Sequence, residues 1–365
     1  MGDLGTRRVL LTGFPGFLGE RLLPRLLDLS PEGRFLCLVQ PKFEALARTS
    51  LERLAAGRPG AKERVSLVQG DITEARLGLP DTALPQVQKE LTGCFHLAAV
   101  YDLAVRREVG MRVNVEGTRN VLEFLQGAPR FERFDYVSTA YVSGAATGVF
   151  KETDLDVGQS FKNFYEETKF LAEVAVAQSG LPYAVYRPGI VVGDSRTGET
   201  AKFDGPYFAL TAMERLPSPG LFIRIGSGRN TVNLVPSDFV IEALARLSTS
   251  VSATGRVYHL TDPNPVSTLE IETLFARALG KRFLYPPVPR SLAKLLFSPG
   301  PVQRFFGMPV QSIDYFDHAC SYDATHATEA LRPFGLSCPR FPDYVDRLVA
   351  FYKQKRGEVR TVAMA

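Results

Sequence analysis

The 365-residue sequence predicts an α/β protein: a doubly wound parallel sheet with a smaller, mainly α C-terminal lobe. Three observations carry that prediction. Short apolar runs alternate with helical periodicity through the first half, the pattern of strands covered on both faces. A glycine-rich turn, Gly13-x-x-Gly16-x-x-Gly19, joins the first apolar run to the first helix. The alternation then breaks near Gly193 and gives way to helical patterns punctuated by proline. Residues 1–193, with 231–262 returning to them, are assigned to the sheet domain, and residues 194–230 and 263–365 to the second lobe.

Arg8–Thr12 reads as the first buried strand, and a helix follows through Leu22, Leu23, Leu26 and Leu27. Pro24 inside it should kink the helix or remove one backbone bond. Phe35–Val39, Val65–Val68, Gly93–Leu97, Phe134–Ser138 and Tyr183–Arg187 read as the next five strands, separated by helical patterns. Residues 194–230, rich in Gly, Pro, Arg and aromatics, form a loop-and-helix insertion. Thr231–Asp238 leads into a helix from about Phe239, and Val257–Leu260 returns as a strand. Lys353–Ala365 is polar and expected to fray.

Composition narrows the function. With 45% hydrophobic and 22% charged residues, the chain is an ordinary globular one. A formal charge of +4 spread along it leaves no nucleic-acid footprint. Cys37, Cys94, Cys320 and Cys338 are scattered, which argues against a zinc site or a disulfide framework and suits a reducing compartment. His318 and His326 lack companions at ligand spacing, so no metal is expected. No apolar run could span a bilayer, and the start lacks the core of a signal peptide. Met1–Thr6 fits the loose myristoylation pattern but reads better as a lead-in to the first strand. The expected location is cytoplasmic.

Thr12-Gly13-Phe14-Pro15-Gly16-Phe17-Leu18-Gly19 sits where a dinucleotide needs it, after a strand and opening a helix. Glycines there permit a tight turn and close approach of backbone to a pyrophosphate, and helix N-terminal amides bind the phosphates. This is the signature of a Rossmann domain. The end of the second strand offers Gln40-Pro41-Lys42 and no acid for a ribose 2′-hydroxyl. That favours NADP, with NAD as the alternative, and makes Lys42 or Arg21 a candidate 2′-phosphate partner. Lys42 also reads as a solvated surface charge. Asp71, followed by Ile72, could lie near the adenine amino group. Leu97, Ala98 and Ala99 would lie along the cofactor, whereas His96 reads as a packed strand-end histidine.

Tyr165 and Lys169 are four residues apart, which places them on one helical face. An adjacent ammonium favours the phenolate and should lower the Tyr165 pKa, as carbonyl/alcohol redox chemistry requires. Upstream stands the pair Ser138-Thr139. Singly, each has a structural reading: a half-buried helix tyrosine, a solvated lysine, a strand-end hydroxyl. Together, behind a dinucleotide loop, they read as a catalytic set.

The set resembles the extended short-chain dehydrogenase/reductase family. The matching pieces are the glycine turn, Gly70-Asp71, His96-Leu97-Ala98-Ala99, Asn114-Val115-x-Gly117-Thr118, Ser138-Thr139-x-x-Val142-x-Gly144, Tyr165-x-x-x-Lys169 and Arg187-Pro188-Gly189-Ile190. The resemblance implies that Tyr165 is the general acid/base and that Lys169 depresses its pKa and holds the nicotinamide ribose. It implies that Thr139 hydrogen-bonds the substrate oxygen while Ser138 supports the strand end. Asn114 would join a proton relay through water, and Pro188, Gly189 and Ile190 would border the nicotinamide carboxamide. Family analogy alone suggests a homodimer through helices beside the Tyr165 helix.

Within the family the chain is most similar to the male-sterility branch, which contains fatty acyl-CoA reductases and thioester reductase domains. Tyr136-Val137-Ser138-Thr139-Ala140-Tyr141-Val142, Asn163-x-Tyr165-x-x-Thr168-Lys169-x-x-x-Glu173 and Asn233-x-Val235-Pro236-x-Asp238-Phe239-Val240 carry that similarity, with Phe203-Asp204-Gly205-Pro206 a looser echo. The branch often carries Arg where Gln40 stands. With no adenylation or carrier-protein segment in the sequence, a thioester would arrive on free coenzyme A or a separate carrier. Residues 281–310 combine Lys281, Arg282, Arg290, Lys294 and Arg304 with aromatic and aliphatic side chains and contain no acid. That stretch suits peripheral contact with an anionic membrane, or a lid over a lipid-like substrate, and equally a lobe packing its apolar face with exposed basics.

The expected function is an NADP(H)-dependent reductase of a hydrophobic carbonyl: a fatty acyl thioester, aldehyde or ketone. The alternatives are a sugar-nucleotide epimerase or dehydratase, a 3β-hydroxysteroid-type dehydrogenase and, last, a cofactor-sensing regulator without catalysis.

Overall fold

The computed structural model describes residues 7–250, 254–306 and 310–357. The readings of Met1–Thr6 and of the final eight residues lie outside that range. Seven strands form one parallel sheet: β1 (Arg8–Thr12), β2 (Arg34–Val39), β3 (Val65–Gln69), β4 (Gly93–His96), β5 (Arg133–Val137), β6 (Tyr183–Pro188) and β7 (Arg256–Leu260). Their order is β7-β6-β5-β4-β1-β2-β3. The chain runs outward from β1 through β3, then crosses back to β4 and runs outward the other way. The reversal opens a crevice at the carboxyl ends of β1 and β4, the place where doubly wound sheets take ligands. β4 and β5 are buried along their whole length, and the two charged residues of β5, Arg133 and Asp135, pair with each other at 2.8 Å.

The helix Phe17–Leu29 buries Leu22, Leu23, Leu26 and Leu27 and runs unbroken through Pro24, so proline's effect is the one bond it cannot donate. It packs on Ser237–Leu247, which starts two residues before the expected Phe239. Arg25 and Glu242 fasten the two helices with a bidentate pair at 2.5 and 2.9 Å.

The second lobe is built on Tyr207–Arg215, Thr268–Leu279 and Phe341–Lys355, whose apolar faces share a core with Val192 and Leu234. A three-residue strand, Ile190–Val192, leaves the end of β6 and pairs in parallel with Leu234–Pro236, tying lobe to sheet. The helix Thr325–Leu331 returns to the sheet, where Ala327 and Leu331 join the core around β7. The last helix contains Lys353 and continues to Lys355, so the chain is ordered into the segment expected to fray.

Three of the basic side chains in the acid-free stretch 281–310 find partners outside it. Lys281 Nζ donates to the carbonyls of Met213, Glu214 and Leu216 at 3.0, 2.5 and 2.6 Å. Lys294 and Arg290 face Asp314 at 2.7 and 3.8 Å. Phe283 and Tyr285 pack onto the lobe core, while Leu284, Leu292, Leu295 and Leu296 are exposed. Residues 307–309 of that stretch lie outside the described range. Among the described residues no helix is long and apolar enough to cross a membrane.

Candidate active site

The glycine turn fits a dinucleotide by its backbone. Gly13 has φ +85°, and a Cβ there would lie 2.8 Å from the Ala98 amide nitrogen, so only glycine lets the turn meet the end of β4. A Cβ on Gly19 would lie 2.6 Å from the Gly13 carbonyl oxygen, so glycine also lets the helix sit directly on the turn. Gly16 starts that helix with no side-chain cap, leaving the first amides directed at the crevice. Phe14, Pro15, Phe17 and Leu18 complete the loop. A pyrophosphate would be held here by backbone donors and the helix dipole.

His96 locks this corner. Thr118 donates to the Asn114 carbonyl at 2.6 Å, so its oxygen accepts from His96 Nε2–H at 3.1 Å. That fixes the tautomer: Nδ1 accepts from the Thr12 hydroxyl at 2.6 Å, and Thr12 Oγ1 accepts from the Ala98 amide at 3.2 Å. Burial first, then the charge of Lys169, pushes the imidazole down to about 3. His96 is thus a neutral connector.

Asn114 lies in a π-helical turn, Met111–Glu116. Its Nδ2 donates to the Val100 carbonyl and to Thr168 Oγ1, both at 3.0 Å, while Oδ1 accepts from the Val100 amide at 2.8 Å. All its side-chain polar groups therefore join the loop after β4 to the helix Phe164–Ala177, which carries Tyr165 and Lys169.

Tyr165 is the second residue of that helix and half-buried, with Thr139 close enough to act on its phenol. Its pKa is pushed up to about 12: burial dominates, Thr139 opposes, and Glu166 and Tyr101 add to the rise. The expectation of a lowered value does not hold in this state, and the reason is geometric. Lys169 Nζ is turned into the sheet, donating to Tyr136 Oη and the Val137 carbonyl, each at 2.8 Å, with the ammonium 4.4 Å from the centre of the Tyr136 ring. Burial brings Lys169 down to about 7, with Glu173 opposing.

Glu173 and Arg187 are two residues whose place the sequence did not disclose, although Glu173 shares the helical face of Lys169. Glu173 accepts from Ser138 Oγ at 2.5 Å and from Arg187 Nη2 at 2.6 Å. Arg187 Nη1 in turn donates to His259 Nε2 at 3.1 Å. The pair is almost wholly buried, and removing one partner would cost about 3–5 kcal/mol. It clamps the ends of β5, β6 and β7 to the Tyr165 helix, with Ser138 at the strand end.

Around the crevice, Pro188 and Gly189 are buried and Ile190 is partly exposed. The Gly189 site is so close to the Asn233 carbonyl that a Cβ would lie 2.6 Å from it. Asp71 accepts from the Thr73 amide at 2.9 Å, and Ile72 packs on Gly117. Leu97 and Ala98 meet Gly13, with Ala99 following. At the end of β2, Gln40 is partly exposed and Lys42 exposed, its ammonium 5.0 Å from the Phe43 ring centre. Arg21, the other candidate, pairs with Glu199 at 2.9 Å.

A glycine turn at the switch point, with tyrosine and lysine one helical turn apart beside it, defines the extended short-chain dehydrogenase/reductase class of site. The family model described as "Male sterility protein" matches residues 11–244, and the chain belongs to that NAD-binding family. It is 31% identical to a glycine betaine reductase of Emericella nidulans over 73% of this chain and 22% of the relative. It is 26% identical to a fatty acyl-CoA reductase of Arabidopsis thaliana over 76% of this chain and 72% of that one. The terminal reductase domain of the myxalamid PKS-NRPS pathway superposes with a TM-score of 0.82 at 25% identity, covering 96% of this chain and 91% of its own. The chain spans 22–27% of the length of the first curated relatives it matches.

Proposed function

We propose that the protein is an NADP(H)-dependent reductase of a hydrophobic carbonyl carried as an acyl thioester or aldehyde, with Thr139, Tyr165 and Lys169 as its catalytic set. The observation that carries the reading is the placement of Tyr165 and Lys169 one helical turn apart on the helix that Asn114 ties to the loop after β4, with Thr139 acting on the Tyr165 phenol. A bound nicotinamide cofactor supplies the hydride. As charge develops on the carbonyl oxygen, Tyr165 Oη gives it a proton and Thr139 Oγ1 donates a hydrogen bond to it. Lys169 is assigned to hold the nicotinamide ribose, and Asn114 to keep the loop after β4 in register with the helix.

The sheet domain, with the helix Thr325–Leu331 that packs on it, is assigned to the cofactor, and the rest of residues 194–230 and 263–365 to the substrate. Pro188, Gly189 and Ile190 are assigned to the carboxamide, Asp71 and Ile72 to the adenine end, and Lys42 beside Gln40 to the 2′-phosphate. The relatives' names support the substrate class: they include a fatty acyl-CoA reductase and an aldehyde reductase.

The test is oxidation of NADPH and NADH against a panel of acyl-CoAs, aldehydes, ketones and nucleotide sugars. Turnover of acyl-CoA or aldehyde with NADPH preferred is the expected result. Preference for NADH would overturn the assignment at Gln40 and Lys42, and turnover of nucleotide sugars alone would overturn the substrate class.

A further inference from the structure

β5 carries a phenol that packing alone does not explain. Phe134 and Tyr136 lie on the same face of the strand, and their rings stack at 6.0 Å. Tyr136 also stacks at 5.7 Å on His96, its register partner in β4. The two side chains are 0% and 1% exposed and share a core with Ala172 and Val176 of the Tyr165 helix. At 134 a phenylalanine fills this layer with no polar atom. A hydroxyl buried at 136 costs stability unless it is hydrogen-bonded, so its partner reveals its use.

That partner is Lys169. Among the described residues the ammonium donates to two neutral oxygens, Tyr136 Oη and the Val137 carbonyl, each at 2.8 Å. The nearby acid, Glu173, is taken by Ser138 Oγ and Arg187. The ammonium also lies 4.4 Å from the Tyr136 ring centre, so ring and hydroxyl hold it together. An ammonium has no lone pair, which makes Tyr136 Oη the acceptor and turns its own hydrogen elsewhere. Thr118 is close enough to act on the phenol, and it donates onward to the Asn114 carbonyl at 2.6 Å. Of the three N–H bonds of Lys169, two are thus committed to β5 and one remains.

We propose that Tyr136 is a positioning residue for Lys169. Its hydroxyl, with the Val137 carbonyl, fixes the ammonium on the end of β5 and keeps the remaining N–H for the nicotinamide ribose. The inference rests on the reading of Lys169 as a member of the catalytic set. Tyr136 is assigned no contact with cofactor or substrate and acts through Lys169 alone. Without the hydroxyl, the ammonium keeps one acceptor and is free to turn about it.

The experiment is a double-mutant cycle on NADPH-dependent reduction of a long-chain acyl-CoA, with Tyr136→Phe made in the wild-type and in the Lys169→Met background. Tyr136→Phe keeps the ring and removes one hydrogen bond to a charged group. In the wild-type background kcat is expected to fall about tenfold, with KM for the acyl-CoA unchanged. In the Lys169→Met background the same change is expected to cost less than about twofold. An equal loss in both backgrounds overturns the inference, because Tyr136 would then act on the core and not through Lys169. Unchanged kcat for Tyr136→Phe beside an intact Lys169 overturns it too. Wild-type turnover by Lys169→Met would instead mean that the reading of the catalytic set has failed. If Lys169→Met is impaired and Tyr136→Phe is not, the failure belongs to this inference alone.

Discussion

Lys169 carries a charge that the fold pays to keep. Its side chain is 3% exposed, and burial lowers its pKa to about 7 against 10.5 for a free lysine. Between those values the unfolded chain binds more protons than the folded one, so stability rises with pH across about 7 to 10.5. Lys169→Met removes the penalty together with two hydrogen bonds. The variant is expected to lose at least about 100-fold in kcat. It should nevertheless melt higher at pH 7, by about 1 kcal/mol. The gain should fade as the pH approaches 10.5, and thermal melts across pH 7–10 check it. A variant that melts lower at pH 7 would show that the bonds to Tyr136 and Val137 outweigh the burial cost. The placement of Tyr165 and Lys169 one helical turn apart was legible because helical spacing is local. The direction of the ammonium was not: Tyr136 stands 33 residues away and meets Lys169 only because β5 lies under the helix.

At the scale of elements, the strands of the sheet were legible because each carries a short, mainly buried apolar core between helical patterns, even where β3 and β5 hold polar residues. The strand Ile190–Val192 was not, since three residues have no period and its pairing with Leu234–Pro236 is set by tertiary contact. The helix Thr268–Leu279 has clear local signals, with Ser267 accepting from the Glu270 amide at 3.2 Å and Gly280 ending it at φ +71°. Inside it the pattern is broken by Glu272, which is 1% exposed, and neither carboxylate oxygen has a hydrogen-bond partner among the described residues. Burial raises its pKa to about 8, with Arg224 opposing. Because the folded pKa exceeds the unfolded value of 4.5, the cost is absent below pH 4.5, grows to pH 8 and is full above it. Glu272→Gln is therefore expected to stabilise the protein at pH 9 by on the order of 2 kcal/mol and to leave it unchanged at pH 4. Denaturant melts at the two pH values check this. Equal effects at both would mean that the charge is not the cause.

At the scale of the whole molecule, one reversal of strand order brings the glycine turn, the end of β4 and the Tyr165 helix to a common crevice. The sheet and its crevice were legible because a family-ordered set of short motifs marks each strand end. The lobe was read only as helical and proline-punctuated. Its close contacts, such as Tyr315 on Asn163 across 152 residues, have no local signal. The partners of the basic stretch 281–310 had no local signal either, since Asp314 and the carbonyls of Met213, Glu214 and Leu216 lie outside it. The central claim is that Tyr165 delivers a proton to a substrate oxygen within this crevice. Its most direct test is NADPH oxidation with a long-chain acyl-CoA by wild type and Tyr165→Phe, with NADPH binding titrated on both. Unchanged NADPH affinity with turnover reduced about 100-fold or more is the predicted result. Wild-type turnover by Tyr165→Phe would contradict it.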